Sequence, residues 1–198
     1  MMNEHLINKA ADWFNDVEKW KSFLELCEAK SAIELRWQNM ATDELRKYFV
    51  LKPSVGWDFT AWGCNRDTWW FLNDFGSESV GIGFGYGYWL CFGAKGDRVN
   101  RALLKNKLME KQYAPLLSAF GVIHVREAFY GFEFAQEREF SFEGSSCNGR
   151  MSESEFACYS WNHREYFLRQ AVAKIEAFTK NDEITKLLAQ LNRETINS

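Results

Sequence analysis

Cys158 and His163 stand five residues apart, close enough in sequence to suggest a nucleophile and its base. Such a pair works only within hydrogen-bond reach, with a third group orienting the base. On a helix, a spacing of five places the two on adjoining surfaces; a shared stripe takes three or four. The simpler expectation is a small core cysteine and a buried, hydrogen-bonded His163 between Tyr159 and Phe167. The other histidines are scattered, His5 near the terminus and His124 inside an expected strand. Zinc sites announce themselves by short paired spacings such as C-x-x-C or H-x-x-x-H. Neither occurs among Cys27, Cys64, Cys91, Cys147, Cys158 and the histidines, so neither a metal nor a cofactor is expected.

Carboxylates offer a second chemistry. Asp58 and Asp74 fall on neighbouring expected strands, and Glu133 and Glu139 share a face further on. Acid–base hydrolysis of the glycosidase type needs two carboxyls facing across a cleft. Trp57, Trp62, Trp69 and Trp70 could stack a sugar there. A hydrolase using such acids or a histidine in an aromatic-lined cleft is therefore the alternative function. The competing expectation is an aromatic core with acids outside it, since large rings fill cores well.

The most unusual stretch is Ser79–Gly93, where glycines alternate at 81, 83, 85 and 87 with Ile82, Phe84, Tyr86 and Tyr88. Strict alternation means extended backbone, one face apolar and the other bare. A phosphate cradle instead needs a turn feeding a helix N-terminus, with glycines unequally spaced. Glycine inside a strand marks a bulge, a bend or the close approach of another group. The bare face is thus expected to lie against a long helix from Ser152 to Phe178, or against a ligand held between the two. Gly83, Gly85, Tyr86, Tyr88, Trp69, Trp62 and His163 are the candidate ligand contacts, and no catalytic residue is assigned.

The elements that would position these residues follow from periodicity. Leu6, Ala10, Trp13, Phe14 and Val17, then Trp20, Phe23, Leu24 and Cys27, read as helix broken near Asn15-Asp16, with Trp13 and Trp20 as core anchors. Ser31 to Ala41 alternates Ile33, Leu35 and Trp37 with polar residues and is expected to be a strand. Thr42-Asp43-Glu44 opens a short helix that Lys52-Pro53 closes. Strands follow at Trp57–Trp62, Thr68–Asp74 and along the glycine row. A helix opens at Asp97, a helical turn follows Pro115, and two strands lie near Val122–Arg126 and Phe129–Ala135. Ser152 with Glu155 forms a capping box for the long helix, which Asn181-Asp182 separates from a terminal one. This order predicts an α+β fold: a mostly antiparallel sheet of about five or six strands, packed with N-terminal helices and a long C-terminal helix.

Over 198 residues, 46% hydrophobic and 17% aromatic, one domain spanning 1–198 with a substantial core is the default. A net charge of −3, with bases interleaved among acids, gives no surface for nucleic acid. The N-terminus lacks the basic and apolar regions of a signal peptide. No run is long enough for a membrane span, and an odd cysteine count makes a poor disulfide framework. A cytoplasmic location with reduced thiols is expected. With no motif for chemistry and abundant aromatic surface, the expected function is non-catalytic binding of a protein partner or a small apolar or aromatic ligand. A homodimer, or an interaction protein whose acidic strand face meets a basic partner, is a further alternative.

Overall fold

No glycine or proline interrupts the 35 residues from Val17 to Leu51, and they form one helix, α2. The computed structural model describes residues 4–62, 67–85, 89–94, 98–119, 125–127, 133–136 and 152–196. Helix α1 spans Glu4–Trp13. The expected strand at Ser31–Ala41 lies wholly within α2 and is helical. Ala29, Ala32, Ala41, Glu28 and Arg36 are strong helix formers, and the stripe Gln38, Thr42, Leu45, Phe49 is buried at helical spacing, which outweighs the short alternation. Lys52-Pro53 ends the helix as the sequence indicates.

Strands β1 (Trp57–Trp62), β2 (Asp67–Leu72), β3 (Val80–Gly85), β4 (Trp89–Ala94), β5 (Val125–Glu127) and β6 (Glu133–Gln136) follow. Between β4 and β5 lie α3 (Arg101–Leu108), a short 3-10 turn (Lys111–Tyr113) and α4 (Ala114–Ala119). After β6 come α5 (Glu153–Asn162), α6 (Arg164–Thr179) and α7 (Asp182–Thr195). The chain is α+β. Among the described residues the strands form one sheet in the order β1-β2-β3-β4-β6-β5, antiparallel at every pairing.

Two units divide the chain, Met1–Arg36 and Trp37–Ser198. Within the second, one face of the sheet carries Trp70, Leu72, Val80, Ile82 and Phe84, all buried. Phe49 of α2 meets Trp70 edge-on, with ring centres 5.2 Å apart, and Phe167 of α6 lies 6.0 Å from Phe84. Helix α7 adds Ile184, Leu188 and Leu191 to the core. Its Asn192 is fully buried and reads the strand directly. Oδ1 accepts the Val80 N–H at 2.7 Å and Nδ2 donates to the Val80 carbonyl at 3.1 Å. A buried peptide unit at the start of β3 is thereby satisfied by a side chain.

The expected long helix is broken at His163, which closes α5 and precedes α6. The capping box at its start is present: Ser152 N–H donates to Glu155 Oε2 at 2.8 Å, and Glu155 N–H to Ser152 Oγ at 3.3 Å. The break at Asn181 is also present, its Oδ1 accepting from the Glu183 and Ile184 amides. The helix expected from Asp97 begins instead at Arg101, capped by Asn100.

Among the described residues, the bare face at Gly81 and Gly83 is met by rings of the neighbouring strand. Trp69 and Phe71, projecting from β2 on that face, lie across the glycines. Trp69 is paired directly with Gly83. A Cβ on Gly83 would stand 2.6 Å from the indole, and one on Gly81 2.6 Å from the Phe71 ring and 2.5 Å from the Trp70 carbonyl oxygen. The two rings stack with centres 6.3 Å apart and are 4% and 2% exposed. The bare backbone accommodates large rings from the neighbouring strand, as aromatic residues do beside strand glycines.

Candidate functional site

The residues singled out for chemistry are dispersed. His163 is exposed, not buried, because it sits at the junction of α5 and α6; its ring lies 5.2 Å from Tyr159. Cys158 is exposed and its Sγ accepts from Asn162 Nδ2 at 3.2 Å. Gly83 and Trp69 fill each other's space. Gly85 lies in β3 and Trp62 in β1, opposite Trp89 and Asp67. Tyr86, Tyr88, His124 and Glu139 lie outside the described residues.

Among the described residues, Asp74 does not line the recess that Asp58 lines. Asp58 lines a recess of about 320 Å³ with Trp57, Phe59, Thr60, Phe71, Leu72, Asn73, Gly76 and Ser77, while Asp74 is exposed on the following turn. The Asp58 carboxylate is already engaged, Oδ1 accepting the Phe59 N–H at 2.7 Å. Its role there follows from the ladder. The Asn73 amide donates to the Gly56 carbonyl, so by antiparallel alternation the main-chain groups of Trp57, Phe59 and Ala61 point away from β2. That is one open edge of the sheet among the described residues, and three main-chain groups on it are capped from within. Trp57 N–H donates to the Ser54 carbonyl at 3.1 Å, Phe59 N–H to Asp58, and Thr60 Oγ1 donates to the Ala61 carbonyl at 3.3 Å. Such an edge is blunted against strand addition.

The feature that stands apart is in residues 4–36. Among their described side chains none is buried. Trp13 is 66% exposed, Val17 71%, Leu26 57% and Trp20 49%, with Ile7 and Leu24 also exposed. Sequence reasoning placed Trp13 and Trp20 in the core, because an amphipathic period has the same form whichever surface covers it. Val17, Trp20, Leu24 and Cys27 follow 3-4-3 spacing and occupy an arc of about 80° on α2. The local structure is well made. Asp16 caps α2, its Oδ1 accepting the Lys19 N–H at 2.8 Å, and its other oxygen pairs with Lys19 Nζ at 3.0 Å. The Lys19 amide and ammonium hold the Asp16 carboxyl below its ordinary 3.8. Phe14 and Phe23 pack at 4.4 Å across the turn, with Trp20 5.4 Å from Phe23.

No family model matches this chain, and neither a curated protein nor a solved structure resembles it significantly.

Proposed function

We propose that this chain is a non-catalytic interaction protein that binds a polypeptide partner through the apolar surface of residues 4–36. The observation that carries this is the concentration of six exposed large apolar side chains on a capped helical unit with no buried side chain among those described. Clustered exposed apolar surface marks interaction sites, whereas single scattered residues do not. Tryptophan is the residue most enriched at binding hot spots. A lipid surface fits less well, since interfacial helices carry Lys and Arg on their polar side. Here Glu4, Asp12, Asp16, Glu18, Glu25, Glu28 and Glu34 outnumber Lys9, Lys19, Lys21, Lys30 and Arg36. Among the described residues no helix is long and apolar enough to cross a membrane. The proposal includes a cytoplasmic, reducing setting, which the free thiols of Cys27 and Cys158 suit.

Photo-cross-linking tests it. With Trp13→p-benzoylphenylalanine, irradiation in cells is expected to give a discrete covalent adduct to a polypeptide. The same replacement at Val55, 97% exposed in the second unit, is expected to give none. Absence of an adduct at position 13, or identical adducts from both positions, overturns the proposal.

A small aromatic ligand is the second alternative, favoured by the recess beside β1. Trp57 lines it and is 5% exposed, and its indole N–H has no acceptor among the described residues.

A further inference from the structure

We infer that the recess beside β1 binds a small organic cation, an ammonium or guanidinium group, with Asp58 as its counter-ion. This goes beyond the partner surface of residues 4–36 and does not depend on it.

The volume, about 320 Å³, lies at the small end of the range for ligand pockets. Among the described residues Asp58 alone brings a charge to its lining, and no lysine, arginine or histidine offsets it. One Asp58 oxygen accepts the Phe59 amide; the other meets no protein donor among the described residues. The side chains of Asn73 and Ser77, on the turn after β2, likewise meet no protein group there. Thr60 spends its hydroxyl hydrogen on the Ala61 carbonyl, which leaves its oxygen to accept. Trp57 and Phe59 also line the recess. Their amides are engaged by Ser54 and Asp58, while their carbonyls face the open edge and accept no hydrogen bond among the described residues.

Acceptors therefore outnumber donors around the recess, and its one fixed charge is negative. The complement is a group that combines positive charge with several N–H donors. An ammonium offers three and a guanidinium five. An anion would meet the Asp58 charge with nothing to offset it. The aromatic ligand considered above gains less, because Trp57, Phe71 and Leu72 are already buried. It would also strip the carboxylate of water without replacing the lost hydrogen bonds. The frame is set before a ligand arrives. Asn73 N–H donates to the Gly56 carbonyl at 3.0 Å, and the Phe75 and Gly76 amides donate to the Leu72 carbonyl at 3.0 and 3.1 Å. Ser79 Oγ donates to the Gly76 carbonyl at 2.6 Å. The turn that carries Asn73 and Ser77 is thereby tied in place, so binding orders little of the chain.

Amide chemical shifts of the purified full chain, followed by NMR at neutral pH and low salt, test the inference. Ethylguanidinium chloride and butylammonium chloride are added in separate titrations, with glucose and indole as comparisons. At least one cation is expected to give saturable shifts at Asp58, Thr60, Asn73, Gly76 and Ser77, and glucose and indole none. Asp58→Asn keeps an oxygen for the Phe59 amide but loses the charge, and is expected to weaken binding about tenfold or more. The parent alone supplies a second reading: raising sodium chloride to about 0.5 M is expected to weaken binding several-fold by screening the pair. No saturable shift from either cation, shifts at these amides that salt leaves unchanged, or equal binding to a folded Asp58→Asn variant overturns the inference. Saturation by indole or glucose with none by the cations also overturns it, and assigns the recess to an uncharged ligand. The Trp13 adduct reads the surface of residues 4–36 separately, so either result stands without the other.

Discussion

At Gly83 the missing side chain matters because of what occupies its space. The Trp69 indole lies where a Cβ would be, so Gly83→Ala is expected to destabilise the protein by about 1–3 kcal/mol through overpacking. Cutting the ring back with Trp69→Leu frees that space, and most of the Gly83→Ala cost is expected to vanish in the double variant. Residues in contact couple in this way, whereas independent sites add. Urea unfolding of the four proteins measures the coupling; simple additivity would contradict the ring-over-glycine arrangement. The alternation of Gly81, Gly83 and Gly85 was legible as a bare strand face needing a cover. Its occupant was not, because period two tells which residues share a face and not which strand lies beside them. The register Trp69↔Gly83 depends on the turns between strands.

Among the elements, α2 shows best what local pattern conveys and where it misleads. Both ends were readable, in the Asx pair at Asn15-Asp16 and in Lys52-Pro53. Its middle was misread because Ile33, Leu35 and Trp37 happen to alternate. The stronger signal was the uninterrupted stretch of helix-compatible residues. The start of α2 also carries a pH dependence. The backbone hydrogen bond from Lys19 and the pairing with its ammonium lower the Asp16 pKa from 3.8. A carboxylate depressed in the folded state contributes stability that is fully present above its unfolded value and lost as pH falls through the folded one. The Lys19 amide proton shift, followed by NMR on acidification, is expected to titrate with a midpoint below 3.8 and to stay flat in Asp16→Asn, which caps without titrating. A midpoint at or above 3.8 would contradict the cap. His163 shows the complementary limit: flanking Tyr159 and Phe167 suggested burial, but the turn between α5 and α6 carries the imidazole outward.

For the whole molecule, the α+β class followed from element order, and much of the core from aromatic and aliphatic periodicity. The candidate site did not. Trp13 ends α1, and Val17, Trp20 and Leu24 line one side of α2; their spacing in the sequence is the same whether they face the chain's own core or another polypeptide, and only exposure in the folded chain separates the two. Hydroxyl-radical footprinting measures that exposure directly, in dilute purified protein and in living cells. In dilute solution Trp13 and Trp20 are expected to oxidise readily, and buried Trp70 hardly at all. In cells Trp13 and Trp20 are expected to be protected several-fold, while Leu51 and Val55, exposed in the second unit, react equally in both. Equal oxidation of Trp13 and Trp20 in the two settings would contradict a binding role for residues 4–36.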